Sequence, residues 1–131
     1  MTEWVTDIGA YKRHVHQAAQ YDVLYVDTET TGLDPHTLDL LLVSLRYGDT
    51  IVVFDFTKIP LQQLWHLGTL LENEKILKVI HNAVFDFKVF FKYGITTKNI
   101  YCSLIAEQLL VAGYVGISCS LGAMTERRCG I

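Results

Sequence analysis

The run Leu40–Phe56, LLLVSLRYGDTIVVFDF, reads as two strands folded back on each other. Leu40 to Arg46 and Thr50 to Phe56 are the strands, and Tyr47-Gly48-Asp49 carries the turn formers of a short hairpin loop. Upstream, Tyr21 to Thr28 (YDVLYVDT) is a third strand, rich in β-branched and aromatic residues. Its nearly continuous apolar run is the one expected of a strand covered on both faces. Ahead of it, Ile8 to Gln20 suits a helix with Asp7 as its N-cap. Downstream the period changes. Pro60 suits the first turn of a helix, and Leu61, Leu64, Trp65, Leu67, Leu70 and Leu71 recur at helical spacing. Lys75 to Ile80 is another strand, and Ala83 to Lys92 a helix closed by Tyr93-Gly94. Ile100 to Cys102 is a last short strand, followed by helices from Ser103 to Val111 and from Leu121 to Arg128. A hairpin followed by alternating helices and strands predicts an α/β mixed sheet, antiparallel hairpin plus parallel strands, with helices packed on it.

The length of 131 residues fits one domain, residues 1–131, with its own core. Eleven basic and 14 acidic residues give a net charge of −3, so no global basic field exists. Contact with nucleic acid must then come from a local patch or from bound cations. With half the residues hydrophobic and only 19% charged, disordered and linker-like classes are excluded. The longest apolar stretches, Leu38 to Leu45 and Ile51 to Phe56, are too short to span a bilayer, so no membrane is expected. Met1-Thr2-Glu3-Trp4 lacks the basic-then-apolar order of a signal peptide, and a cytoplasmic location is expected. Cys102, Cys119 and Cys129 show no metal-ligand spacing and read as ordinary thiols.

Two clusters of acids carry chemistry. In Val26-Asp27-Thr28-Glu29-Thr30-Thr31-Gly32-Leu33, residues two apart on a strand point the same way, so Asp27 and Glu29 project together and Thr28 points opposite. Two converging carboxylates repel and call for a cation or a shared proton. Hard oxygen donors suit Mg²⁺ or Mn²⁺. Taken alone, such a pair is more often solvated acids just beyond a strand, but the apolar strand feeding it and the tight turn that Gly32 permits shift the reading toward a site. In Val79-Ile80-His81-Asn82-Ala83-Val84-Phe85-Asp86, Asn82 is placed to cap the next helix and Asp86 lies about one turn into it. An acid there also suits the helix dipole. Lys88 and Lys92 read as a solvated face, or else a phosphate-steering patch, and Phe85, Phe87 and Phe90 as the buried face.

VDTETTGLDP and HNAVFD together resemble the first and second motifs of the DEDD 3′–5′ exonucleases. Asp86 follows Glu29 by 57 residues, and that spacing with the intervening hairpin resembles the ribonuclease D and DNA polymerase I proofreading branch. YCSLIAEQLL and SLGAMTERRCGI are similar to the family's downstream helices. The resemblance implies a ribonuclease H-like sheet and two-metal hydrolysis of nucleic-acid 3′ ends, single strands included, with Mg²⁺ or Mn²⁺. Asp27 would bridge both ions, Glu29 would bind one and help hold the attacking water, and Asp86 would hold the other. The backbone near Thr30 and the side chain of Leu33 would hold and wedge the terminal nucleotide. His81 and Asn82 would fix the loop geometry, Asn82 on the substrate side.

The resemblance also implies a third motif, with a fourth Asp and a Tyr or His that orients the nucleophile. After Asp86 there is no further Asp; the later acids are Glu107 and Glu126. Cys102 stands where relatives often carry Asp. The expectation is a domain incomplete at its C-terminus, with weakened activity and a bare sheet face. A mean hydropathy of +0.25 agrees with apolar surface that self-association or a partner chain would cover. The rival readings are a catalytically weak or dead nucleic-acid-binding or assembly module, and a fragment completed by a partner. Nothing in the sequence chooses DNA over RNA.

Overall fold

The chain turns on a six-stranded mixed sheet, seen in a computed structural model that describes residues 2–131. The strands are β1 (Thr2–Val5), β2 (Val23–Thr30), β3 (Leu40–Tyr47), β4 (Thr50–Asp55), β5 (Leu77–Ile80) and β6 (Ile100–Cys102), in the order β1-β4-β3-β2-β5-β6. β2, β3 and β4 run antiparallel, while β1 joins β4, and β5 and β6 join β2, in parallel. The predicted hairpin is therefore the antiparallel centre of the sheet. Its turn needs glycine: Gly48 has φ +53°, and a Cβ there would sit 2.7 Å from the Tyr21 ring. β1 has no counterpart in the expected elements.

The helices are α1 (Ile8–Ala18), α2 (Leu64–Leu71), α3 (Ala83–Lys92), α4 (Ser103–Leu110) and α5 (Leu121–Cys129). Asp7 caps α1 as expected, its carboxylate accepting the Ala10 amide at 2.8 Å. α1 ends two residues short of Gln20, where the Gln20 and Tyr21 amides turn back onto Gln17 and Ala18. Pro60 stands outside the helix it was expected to begin. Its ψ of 132° is extended, and a 3₁₀ turn over Leu61–Gln63 leads into α2.

One core forms between the sheet and α1, α2 and α3, with Leu24, Val26, Val43, Leu45, Val52 and Phe54 on the sheet side. Tyr11 of α1 packs edge-on to Phe54 and Phe56, donates its hydroxyl to the Gln63 carbonyl at 2.8 Å and accepts the Leu67 amide at 3.0 Å. The coverage expected on both faces of β2 is not found. Leu24, Val26 and Thr28 point into the core, whereas Tyr25, Asp27 and Glu29 are exposed. The apolar run misleads because Tyr25 tolerates the open face, with the Arg46 guanidinium 5.5 Å from its ring centroid. That face carries exposed Tyr25, Ile51 and Tyr101, and Leu121 at the start of α5 helps line an apolar groove of about 270 Å³ on it. Among the described residues, no helix is long and apolar enough to cross a membrane.

Lys78 of β5 is fully buried on the core side. Its ammonium donates to the carbonyls of Ile76 (2.6 Å), Asn73 (2.7 Å) and Leu70 (3.4 Å), tying the end of α2 to β5. Burial pulls its pKa down to about 8. The unfolded chain therefore binds more protons between about pH 8 and 10.5, and the Lys78 contribution to stability rises with pH across that window. The expected result is that wild type gains up to about 3 kcal/mol relative to Lys78→Met between pH 7 and 10.5, measured by urea unfolding. A constant gap across that range would contradict the burial of the ammonium.

Candidate active site

β2 delivers the first acids by its pleat. Asp27 lies opposite Ser44 and Glu29 opposite Leu42, both on the open face. Beyond Glu29 the register slips: Thr30 faces Leu40, Leu41 is the extra residue, and the Leu41 carbonyl accepts the Phe56 amide at 2.9 Å. Such a bulge bends the strand and re-aims the residues next to it. The chain leaves the sheet as a loop closed at its base, with the Thr31 amide on the Asp39 carbonyl (3.0 Å) and the Asp39 amide on Thr31 Oγ1 (2.9 Å). The Thr30 hydroxyl donates to the Gly32 carbonyl at 2.7 Å. Leu33 projects from this loop with 86% of its surface exposed, so its side chain is available to a ligand rather than folded onto the core.

α3 delivers the third acid. Asp86 sits in its first turn and is 3% exposed. Thr28 Oγ1 donates to Asp86 Oδ1 at 2.6 Å. Burial pushes the Asp86 carboxyl up to about 6; the Thr28 hydroxyl opposes that shift and the Asp27 charge adds to it. Asp27 and Asp86 are thus electrostatic neighbours. Glu29 is exposed nearby in sequence, yet no three His, Cys, Asp or Glu groups among the described residues stand close enough to grip one ion. Thr28 is the residue that sequence reasoning missed. Strand alternation already turned it inward, but only the packing of α3 beneath β2 reveals its partner.

Asn82 occupies the N-cap position of α3 but does not cap it. Its backbone is left-handed (φ 60°, ψ 52°) and its carboxamide makes no capping bond. Strain of this kind costs about 1–2 kcal/mol and collects at functional sites. The Ala83 amide goes instead to Cys102 Sγ at 3.4 Å. His81 Nδ1 lies 2.9 Å from Ser103 Oγ, joining the β5–α3 loop to the start of α4. Asn82 keeps an exposed side chain at the head of α3. Glu107 is engaged elsewhere: it is buried, and Arg127 (2.6 Å) and Arg128 (3.1 Å) hold it, clamping α5 to α4. Those guanidiniums keep its carboxyl below the usual range.

The donor chemistry fits a hard divalent cation. Asp27, Glu29 and Asp86 offer carboxylate oxygens, and none is paired with Lys, Arg or His among the described residues. A mixed sheet of this order, with carboxylates at the end of an interior strand, is a ribonuclease H-like α/β domain. The match to known proteins is more specific. The chain belongs to the 3′–5′ exonuclease family, whose family model matches residues 2–131. It is 30% identical over 114 residues to ribonuclease D of Shewanella sp. (strain ANA-3), covering 86% of this chain and 29% of that protein. It is 32% identical over 108 residues to DNA polymerase I of Aquifex aeolicus (strain VF5), covering 82% and 17%. The catalytic core of RRP6 from Trypanosoma brucei superposes with a TM-score of 0.86 at 18% identity, covering 100% of this chain and 35% of that one. These relatives place the chain in the DEDD branch of ribonuclease D and DNA polymerase I, a family of divalent-metal-dependent nucleases. The chain spans less than a third of the curated relatives it matches.

Proposed function

We propose that the chain is the metal-dependent core of an exonuclease that removes nucleoside monophosphates from nucleic-acid 3′ ends, with Asp27, Glu29 and Asp86 as ligands to Mg²⁺ or Mn²⁺. The carrying observation is the buried, cation-free Asp86 beside Asp27. A buried acid whose neighbour is another acid is stable only when protonated or when a cation is supplied. Bound divalent ions would activate water and neutralise the leaving oxygen in a two-metal displacement. Asp27 and Glu29, exposed on the open face, are reachable from solvent, while Thr28 fixes the orientation of Asp86 from behind. Bound cations would favour the ionised form of Asp86 and offset the cost of burying its charge. Leu33 is free to wedge against the terminal base, the backbone at Thr30 borders the same loop, and the unspent Asn82 carboxamide can hold the terminal nucleotide.

The test is release of monophosphate from a single strand labelled at its 3′ end, with Mg²⁺ or Mn²⁺ and then with excess chelator. Label released as mononucleotide from the first turnovers, and halted by chelator, is the expected result. Internal fragments, or release that persists in chelator, contradict it. A second reading, a strand-binding or assembly module with weak or no turnover, is favoured by the absence of a three-acid grip among the described residues. Strand binding that leaves the label intact would select it. The open sheet face is where a partner chain or a second copy would complete either form.

A further inference from the structure

The inward face of α3 is spent on Ala83, Asp86, Val89 and Phe90, and its outward face carries a second feature. Phe87 and Phe91, one turn apart, hold their rings nearly parallel, 12° between planes and 6.1 Å between centroids. Of the phenylalanines expected in the core, Phe90 is there and Phe85 packs against it, but Phe87 is only half-buried and stacks with Phe91, which is 61% exposed. With Pro35, His36, Lys88 and Lys92 these rings line a groove of about 600 Å³. Lys88 is exposed and makes no ion pair or hydrogen bond among the described residues. Lys92 is fixed at the groove wall by the Leu38 carbonyl, 5.8 Å from the Tyr93 ring centroid. No acid lines the groove, in a chain whose net charge is −3.

The exposed Phe91 ring beside two lysines matches a polyanion that carries its own flat rings. Phosphates neutralise the ammonium groups, and bases stack on aromatic faces without regard to sequence. The groove shares two elements with the candidate site, α3 and the loop after β2, although none of the three acids lines it. Asp86 immediately precedes Phe87 on α3, and Pro35-His36 lies just past Leu33 in the loop. The Phe87 and Phe91 rings stand too close for a base to enter between them, so stacking falls on the exposed face of Phe91.

We propose that this groove is a track for the single strand upstream of its 3′ end, with bases on Phe91 and phosphates at Lys88 and Lys92. The orientation of the strand rests on the nuclease reading; the groove itself does not. The test is fluorescence anisotropy of an end-labelled 12-nucleotide single strand in chelator, where cleavage is suppressed. For Phe91→Ala the expected Kd rises about tenfold, with Phe91→Tyr restoring affinity. For Lys88→Gln the expected change is a salt-dependence slope smaller by about 0.7, the share of one phosphate contact. Both sites are exposed, and circular dichroism confirms that each variant is folded. No measurable strand binding, or a Kd and slope unchanged in both variants, overturns the proposal. So does an outcome in which Phe91→Ala splits a dimer while strand affinity stays the same, since the face would then be a self-association surface. If the variants behave as expected but Mg²⁺ yields no monophosphate, the track stands and the nuclease reading falls. If monophosphate is released and the strand Kd ignores both substitutions, the reverse holds.

Discussion

Asp27→Ala is expected to lower metal-dependent monophosphate release about a thousandfold, the several kcal/mol that metal-assisted charge stabilisation supplies. Asp27 lies on the open face with no ion pair among the described residues, so the fold does not depend on it. Its removal should move the urea midpoint by no more than about 0.5 kcal/mol of stability, the range for surface changes. It also withdraws the charge that helps raise the Asp86 carboxyl. The informative result is the split between a large loss of turnover and an unchanged midpoint. Release at the wild-type rate would falsify the catalytic assignment.

Asp86→Asn is expected to stabilise the metal-free protein while removing activity. The folded pKa of Asp86, about 6, lies above the unfolded value of 3.8. The folded state holds the proton more tightly, so the contribution of Asp86 to stability is full below about pH 4 and is lost as pH rises through about 6. At pH 7.5 the ionised acid costs up to about 3 kcal/mol. Asparagine keeps an oxygen for the Thr28 hydroxyl and carries no charge. Urea unfolding in chelator should therefore show the variant more stable by about 2–3 kcal/mol at pH 7.5 and nearly equal to wild type at pH 4. A variant less stable than wild type at pH 7.5 would show that Asp86 is held for structural reasons.

Strong local periodicity was legible in the sequence. The hairpin, the helix Ala83–Lys92 and the strand Ile100–Cys102 stand where pattern and turn chemistry put them. β1 escaped because TEWV carries no apolar run between turn formers, and its parallel pairing with β4 is a tertiary event. Lys78 escaped because a lysine in a short strand reads as exposed until three carbonyls converge on it. At the site, the outward pairing of Asp27 and Glu29 comes from the two-residue period, and the structure places both on that face. The Thr28–Asp86 bond joins opposite faces of that logic and needs α3 packed under β2. Asn82 satisfies every local rule for a cap, yet the sulfur of Cys102, brought alongside from β6, takes the amide at the head of α3.

Short strands bound the sheet on both sides: β1 has four residues at one margin and β6 three at the other. Rows of open amide and carbonyl groups at a margin template the addition of foreign strands, and rows this brief offer little to copy. Fibrillar growth thus finds little edge to start from. Crowding the protein in a test tube or a cell should produce ordered association through side chains, reversible on dilution, before it produces amyloid.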